Sequence, residues 1–247
     1  MSASTGQQGW IERWDEQQER YVPHREERFA LMFDIVERVA GGGALRLLDL
    51  CCGNGSISRR ALDRFPDASI VAVDRDASLL ELGRSSVDER VTWRSADVRD
   101  PAWAEGLQPG SFDAVLSATA IHWLQLDEVV RLYRTLADLL RPGGVFANAD
   151  HMPVSSPDIA GLSRVLLDEW QNVRLDGKED YFDYWEAMRG DPTLGPLVAE
   201  RDRTFADQPS GVAGEIAFHR EAFLALGFAS ADEVWRYHAD AVLVAVR

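Results

Sequence analysis

The chain has 247 residues, a length that fits one large domain or one domain carrying an insertion. Its 26 Lys and Arg stand against 41 Asp and Glu, a formal charge of −15, and so negative a surface repels phosphate backbones and anionic headgroups. Nucleic-acid and membrane partners are therefore disfavoured; the two cysteines, Cys51 and Cys52, are adjacent, which excludes a disulfide framework or a four-cysteine zinc site.

Met1 to Gly9 is small and polar, which predicts a cytoplasmic chain without a secretory leader. Residues 1–43 read as a helical segment. Trp10, Trp14 and Tyr21 space an apolar stripe that breaks near Pro23, and it has two candidate partners: the chain's own later helices, or a second copy in a homodimer. Phe29, Met32, Phe33, Val36 and Val39 then mark one face of a second helix, stopped by Gly41-Gly42-Gly43. From 44 to 152 short apolar runs alternate with amphipathic helices. The runs are Ala44–Leu50, Ser69–Asp74, Val91–Ser95, Phe112–Ser117 and Val145–Ala149; Leu126, Val129, Tyr133, Leu136 and Leu140 mark one of the helices. Such alternation predicts repeated β-α units and a parallel sheet.

From 153 to 207 the alternation lapses into a helical, aromatic-rich stretch with Trp170, Tyr181, Phe182, Tyr184 and Trp185, broken by Pro192, Gly195 and Pro196. It reads as a helical cap inserted over the sheet edge, its aromatics either helix core or substrate lining. From 208 to 247, Glu215–Leu226 forms a helix ended by Gly227, and Ala231–Tyr237 and Ala241–Val246 flank His238-Ala239-Asp240 as a hairpin. The expected fold is α/β: a Rossmann-like, doubly wound, mostly parallel seven-stranded sheet with a C-terminal β-hairpin and a helical cap.

The chemistry concentrates in Leu47-Leu48-Asp49-Leu50-Cys51-Cys52-Gly53-Asn54-Gly55-Ser56-Ile57-Ser58. A buried strand feeds a glycine turn that opens a helix, so backbone can approach a ligand and the helix N-terminus adds oriented amides. Gly53-x-Gly55-x-x-Ser58, with Asp74 beyond it, is a partial match to the dinucleotide fingerprint, which keeps a nicotinamide-dependent oxidoreductase open. Two features oppose that reading: Asp49 would repel a pyrophosphate, and Ser58 stands where the third glycine is needed. Asp49, Asp74 and Asp97 instead place carboxylates at three successive strand ends, along the edge where such sheets bind ligands.

Asp49-Leu-Cys-Cys-Gly53-Asn-Gly55, Val71-Ala-Val-Asp74-Arg-Asp, Ala96-Asp97-Val98, Phe112-Asp113-Ala-Val-Leu-Ser117 and Leu140-Arg-Pro-Gly143-Gly144 closely resemble the class I S-adenosylmethionine-dependent methyltransferases. His122-Trp123 is similar to their small-molecule branch, the ubiquinone-biosynthesis and trans-aconitate types. The resemblance covers residues 44–150 and the helix and hairpin after 210. It departs at Cys51, where the family often has a glycine. It implies that Asp49 and the backbone of Gly53, Asn54 and Gly55 hold the methionine part of S-adenosylmethionine. Asp74 would take the ribose hydroxyls, Asp97 the adenine amine and the Val98 amide a ring nitrogen. Ser117 would line the path from the methyl to the substrate, with Arg75 and Ala118 as secondary contacts. Tyr21, Arg25 and Arg28 are further candidates to close over the cofactor's carboxylate.

The expected function is methyl transfer to a small-molecule acceptor, at oxygen in preference to nitrogen or carbon. A repurposed, non-methylating use of the same cofactor is the other alternative. If the acceptor must lose a proton, the candidate bases are His151, with Asp150 as its orienting partner or as a substrate contact, and His122. His219 reads better as a hydrogen-bonded helix residue, and Cys51-Cys52 as two small buried side chains. No metal is expected, because the loop after the fourth strand supplies no further carboxylate.

Overall fold

Strands covered by helices on both faces must be apolar on both, and the first strand meets that demand: Leu47, Leu48 and Leu50 are all buried. The structure is a computed structural model that describes residues 6–41, 43–87, 89–206 and 210–247. The start of the polar N-terminal stretch, Gly42, and the boundary drawn between residues 207 and 208 lie outside the described residues.

In chain order the elements are α1 (Gln7–Tyr21), α2 (Arg25–Ala40), β1 (Arg46–Leu50), α3 (Ser56–Arg64), β2 (Ser69–Asp74), α4 (Ala77–Arg84), β3 (Val91–Ser95) and β4 (Phe112–Ala118). After a 3₁₀ turn at Ile121–Trp123 come α5 (Leu126–Leu139), β5 (Leu140–His151), α6 (Pro157–Leu175), α7 (Tyr181–Arg189), α8 (Gly195–Phe205), α9 (Ile216–Ala225), β6 (Ser230–Tyr237) and β7 (Asp240–Val246). The sheet has seven strands in the order β3-β2-β1-β4-β5-β7-β6. Pairings from β3 through β5 are parallel, and β7 runs antiparallel to both β5 and β6. The chain builds outward from β1 to β3, then returns to lay β4 against β1. The carboxyl ends of β1 and β4 thus flank the point where winding reverses, the crevice in which open α/β sheets bind ligands.

One face of the sheet packs Leu48, Val73, Val115 and Phe146 with Tyr133 of α5 and Phe223 of α9. The other packs Leu47, Ala72, Leu116 and Ala147 with Phe33 and Val36 of α2 and Ala61 of α3. A third cluster joins Trp10 and Ile11 of α1 to Tyr184, Trp185 and Met188 of α7, Val198 of α8 and Leu82 of α4. The Trp10–Tyr21 stripe is therefore spent within the chain: the Trp14 and Tyr184 rings lie 5.4 Å apart, and Trp10 Nε1 donates to Asp191 at 3.0 Å.

β5 is longer than the apolar run Val145–Ala149 predicts. Leu140 already pairs with Phe112, and the register shifts between Phe112 and Ala114. Gly143 sits at φ +74°, and a Cβ on Gly144 would stand 3.0 Å from the Arg141 carbonyl and 3.1 Å from that of Asp113. The glycine pair lets the strand bulge here and resume its ladder. Asp150 and His151, expected just past the strand, are its last two residues.

Candidate active site

The turn after β1 is built on backbone that favours glycine. Cys51, Gly53 and Gly55 have φ of +56°, +54° and +77°. Thr119, at the end of neighbouring β4, has φ +50°, an uncommon conformation for a β-branched residue, and its amide is held by the Ala149 carbonyl at 3.0 Å. Two non-glycine residues in left-handed backbone thus flank the switch point, as strained residues often do at functional sites.

Asp49 lies beneath this turn and is buried. Its Oδ2 accepts from the Ser58 amide at 3.0 Å and the Ser58 hydroxyl at 2.6 Å, while Oδ1 has no hydrogen-bond partner among the described residues. Burial drives its pKa up to about 7 against the Ser58 bonds. Asp74 accepts from the Gly53 amide at 2.7 Å and the Asp76 amide at 2.9 Å, and burial raises its pKa to about 6. Asp97 is bound by Arg75 at 3.1 Å and by Arg99 at 2.6 Å, so an adenine amine would have to share it with two guanidinium groups.

These residues line one cavity of about 850 Å³, within the range of small-molecule sites. Gly53, Asn54, Arg75 and Val98 are on its wall, as are Trp14 and Tyr21 from α1 and Arg25 and Arg28 from α2. Tyr181 and Trp185 of α7 and Arg201 and Phe205 of α8 close it from the other side. Of the five aromatics singled out between 153 and 207, Tyr181 and Trp185 reach the cavity, Tyr184 is core, Phe182 is 76% exposed and Trp170 stacks under Arg174 at 3.8 Å.

Three expectations need correction. Ser117 is fully buried and does not line the cavity; it points to the face opposite Leu116 and Ala118, and Ala118 occupies the wall. Gly55 is off the wall too, and its missing Cβ makes room for the Trp93 ring instead. Asp150 does not orient the His151 ring. Adjacent residues on a strand project to opposite faces, so the carboxylate takes only the His151 amide, at 2.8 Å, while the His151 ring faces Asp240 at 3.4 Å.

The imidazole that Asp150 does hold is His122, in the 3₁₀ turn after β4. His122 Nδ1 lies 2.6 Å from Asp150 Oδ1, and Oδ2 accepts from the Ile121 amide at 2.8 Å and the His122 amide at 3.2 Å. Burial pushes Asp150 up, but His122, the His151 amide and Arg28 outweigh it and hold its pKa at about 2. An ionised carboxylate only accepts, so Nδ1 carries the proton and Nε2 is left as the acceptor. Burial lowers the pKa of His122, yet Asp150 leaves it raised overall. His219 is set apart, buried between the Tyr133 hydroxyl at 2.7 Å and the Gly214 carbonyl at 3.2 Å. Residues that sequence reasoning missed include Asp240, Arg201 and Asp76, whose places depend on helices and strands distant in the chain.

A glycine turn at the switch point, carboxylates on β1 and β2 and just past β3, and a β6–β7 hairpin beside β5 define the Rossmann-like methyltransferase fold. A methyltransferase domain model matches residues 47–144. Trans-aconitate 2-methyltransferase of Azoarcus sp. (strain BH72) is 34% identical over 134 residues, 54% of this chain and 49% of that protein. The protein of that name in Methylobacterium radiotolerans is 30% identical over 206 residues, 82% of this chain and 70% of its own. Among solved structures, an S-adenosylmethionine dependent methyltransferase from Mesorhizobium loti superposes with a TM-score of 0.53 at 19% identity, covering 83% of this chain and 92% of that one. The chain spans about half the length of the Azoarcus relative, more of the Methylobacterium one, and it belongs to the class I S-adenosylmethionine-dependent methyltransferases. The family's cofactor fits the residues present: Asp49 Oδ1 at the end of β1 and Asn54 Nδ2 on the turn are buried polar atoms without partners among the described residues, suited to the ammonium and carboxylate of a methionine moiety.

Proposed function

We propose that the chain transfers a methyl group from S-adenosylmethionine to an oxygen of a small-molecule acceptor, with His122 as the general base and Asp150 as its orienting partner. Asp49 would hold the cofactor's ammonium, Asp74 its ribose and Asp97 with Val98 its adenine. When bound, the cofactor supplies an electrophilic methyl on sulfur, and the bonding pair stays with sulfur as a neutral thioether. Nε2 of His122 accepts the proton that the acceptor hydroxyl loses, while Asp150 stabilises the imidazolium formed. The observation that carries this reading is that His122, on the wall of the cavity that also meets Asp49, is held at 2.6 Å by the buried Asp150 behind it.

Oxygen is favoured because a tautomer fixed by a carboxylate suits the removal of a hydroxyl proton. The relatives named for trans-aconitate support a small acceptor. Residues 153–207, read as a cap, would exclude water with Tyr181 and Trp185 over the core formed by 44–152 and 208–247, and residues 1–43 would close the other side. His122→Asn should lower turnover about 10²–10⁴-fold with cofactor affinity unchanged, measured by transfer of labelled methyl and by titration of the cofactor. Unchanged turnover would overturn the role of His122.

A further inference from the structure

We propose that Arg28 is an anion subsite for the acceptor, holding a carboxylate that is not itself methylated, so that the acceptor is a hydroxy acid. The inference rests on the O-methylation reading above and adds a second polar group to the molecule that His122 deprotonates.

Arg28 projects from α2 and is 1% exposed, yet it lines the cavity. Among the described residues neither Nη1 nor Nη2 has a hydrogen-bond partner. The carboxylate beside it, Asp240 at the start of β7, stands 3.6 Å away, too far for a hydrogen bond, and is shared with His151. Asp150 also acts on Arg28 through its charge, but its oxygens are taken by His122 and three backbone amides. A buried guanidinium is costly unless its donors are filled, and its planar fork matches a carboxylate bidentately.

Arg25, one turn earlier on α2, is placed differently. It pairs with Asp15 at 3.1 Å, and Asp15 in turn binds Arg59 and Arg60 of α3 beside the glycine turn. The two arginines therefore serve opposite ends of the cavity: Arg25 the cofactor turn, Arg28 the β5–β7 end with His122 and His151. A carboxylate needs no base to become a nucleophile, so a His–Asp pair would be idle if the group on Arg28 were the one methylated. Two devices on one wall point to two acceptor groups, a hydroxyl at His122 and a carboxylate at Arg28.

Calorimetric titration of the full chain saturated with S-adenosylhomocysteine tests this with matched pairs: mandelate and mandelamide, salicylate and salicylamide, 4-hydroxybenzoate and 4-hydroxybenzamide. At least one acid should bind tenfold or more tighter than its amide. Arg28→Gln should abolish that preference while retention of S-adenosylhomocysteine stays within twofold, and Asp240→Asn should strengthen acid binding several-fold. If no acid outbinds its amide, or Arg28→Gln keeps the preference, the subsite is wrong. Equal loss of S-adenosylhomocysteine in folded Arg28→Gln would assign Arg28 to the cofactor and also overturn it. The acid–amide comparison and Asp240→Asn decide the matter should Arg28→Gln not fold. Failure of the O-methylation reading looks different: acid preference persists, but His122→Asn transfers methyl at the unaltered rate.

Discussion

A Cβ at Gly55 would stand 2.5 Å from Cη2 of Trp93, and one at Gly83 would stand 2.3 Å from the same atom. Trp93 lies on β3, and its indole reaches between the turn after β1 and helix α4. Gly83 is inside that helix, where alanine is ordinarily better by about 1 kcal/mol. The indole opposes that gain: Gly83→Ala should destabilise the fold by up to about 2 kcal/mol, the cost of overpacking less the propensity gain. Urea unfolding measures it, and Trp93→Leu in the same chain should return most of the loss. The glycine pattern of the turn was legible in the sequence, but the reason for Gly55 was not, because its neighbour is carried on another strand. The pairing of His122 with Asp150 was hidden in the same way, and only the extension of β5 to His151 brings in the two-residue period that sets the Asp150 and His151 side chains on opposite faces.

At the scale of elements, the apolar runs gave β1 to β4 to within a residue or two, since strands covered on both faces must be continuously hydrophobic. The packing of α8 was not legible, because it depends on charges buried against distant partners. Arg201 of α8 forms an ion pair with Asp76 at 2.8 Å, lies over the Trp185 ring at 3.9 Å and approaches Phe205 at 4.9 Å. Asp76 is itself buried and caps α4 through the Ser78 and Leu79 amides. A second cation, Arg75, stacks on Phe205 at 3.9 Å and ties α8 to the end of β2. Arg201→Ala leaves Asp76 buried beside no cation from α8, a change that costs about 3–5 kcal/mol in comparable pairs. Hydrogen exchange should then quicken in α8 and the first turn of α4, while β1, β4 and β5 keep their protection. Uniform quickening across the sheet would show that the pair supports the whole fold rather than this junction.

For the molecule as a whole, the carboxylates expected to grip the cofactor work against the protein that carries them. Burial holds Asp49 at about 7 and Asp74 at about 6 in the folded chain, against 3.8 ordinarily. The folded state therefore binds more protons than the unfolded chain between about pH 4 and 7, and the stability these two groups contribute is lost as pH rises through that window. Asp150 has the opposite sign: held at about 2, it favours folding above pH 4 and withdraws that support as pH falls from 3.8 towards 2. The cofactor-free protein should be most stable near pH 4–5 as far as these three groups decide, and less stable at pH 8. A formal charge of −15 adds self-repulsion to the same trend, so a variant must separate the two. Asp49→Asn changes one charge in 15 but removes a buried carboxylate, and it should stabilise the cofactor-free chain at pH 8 by about 2–4 kcal/mol, with little effect at pH 4. The same variant should lose cofactor affinity at every pH, whereas the native chain should bind S-adenosylmethionine more tightly as pH rises from 5 to 8 and Asp49 ionises. Denaturation at several pH values, with and without the cofactor, reads both effects, and a variant no more stable than the native chain at pH 8 would show that Asp49 carries no such burden.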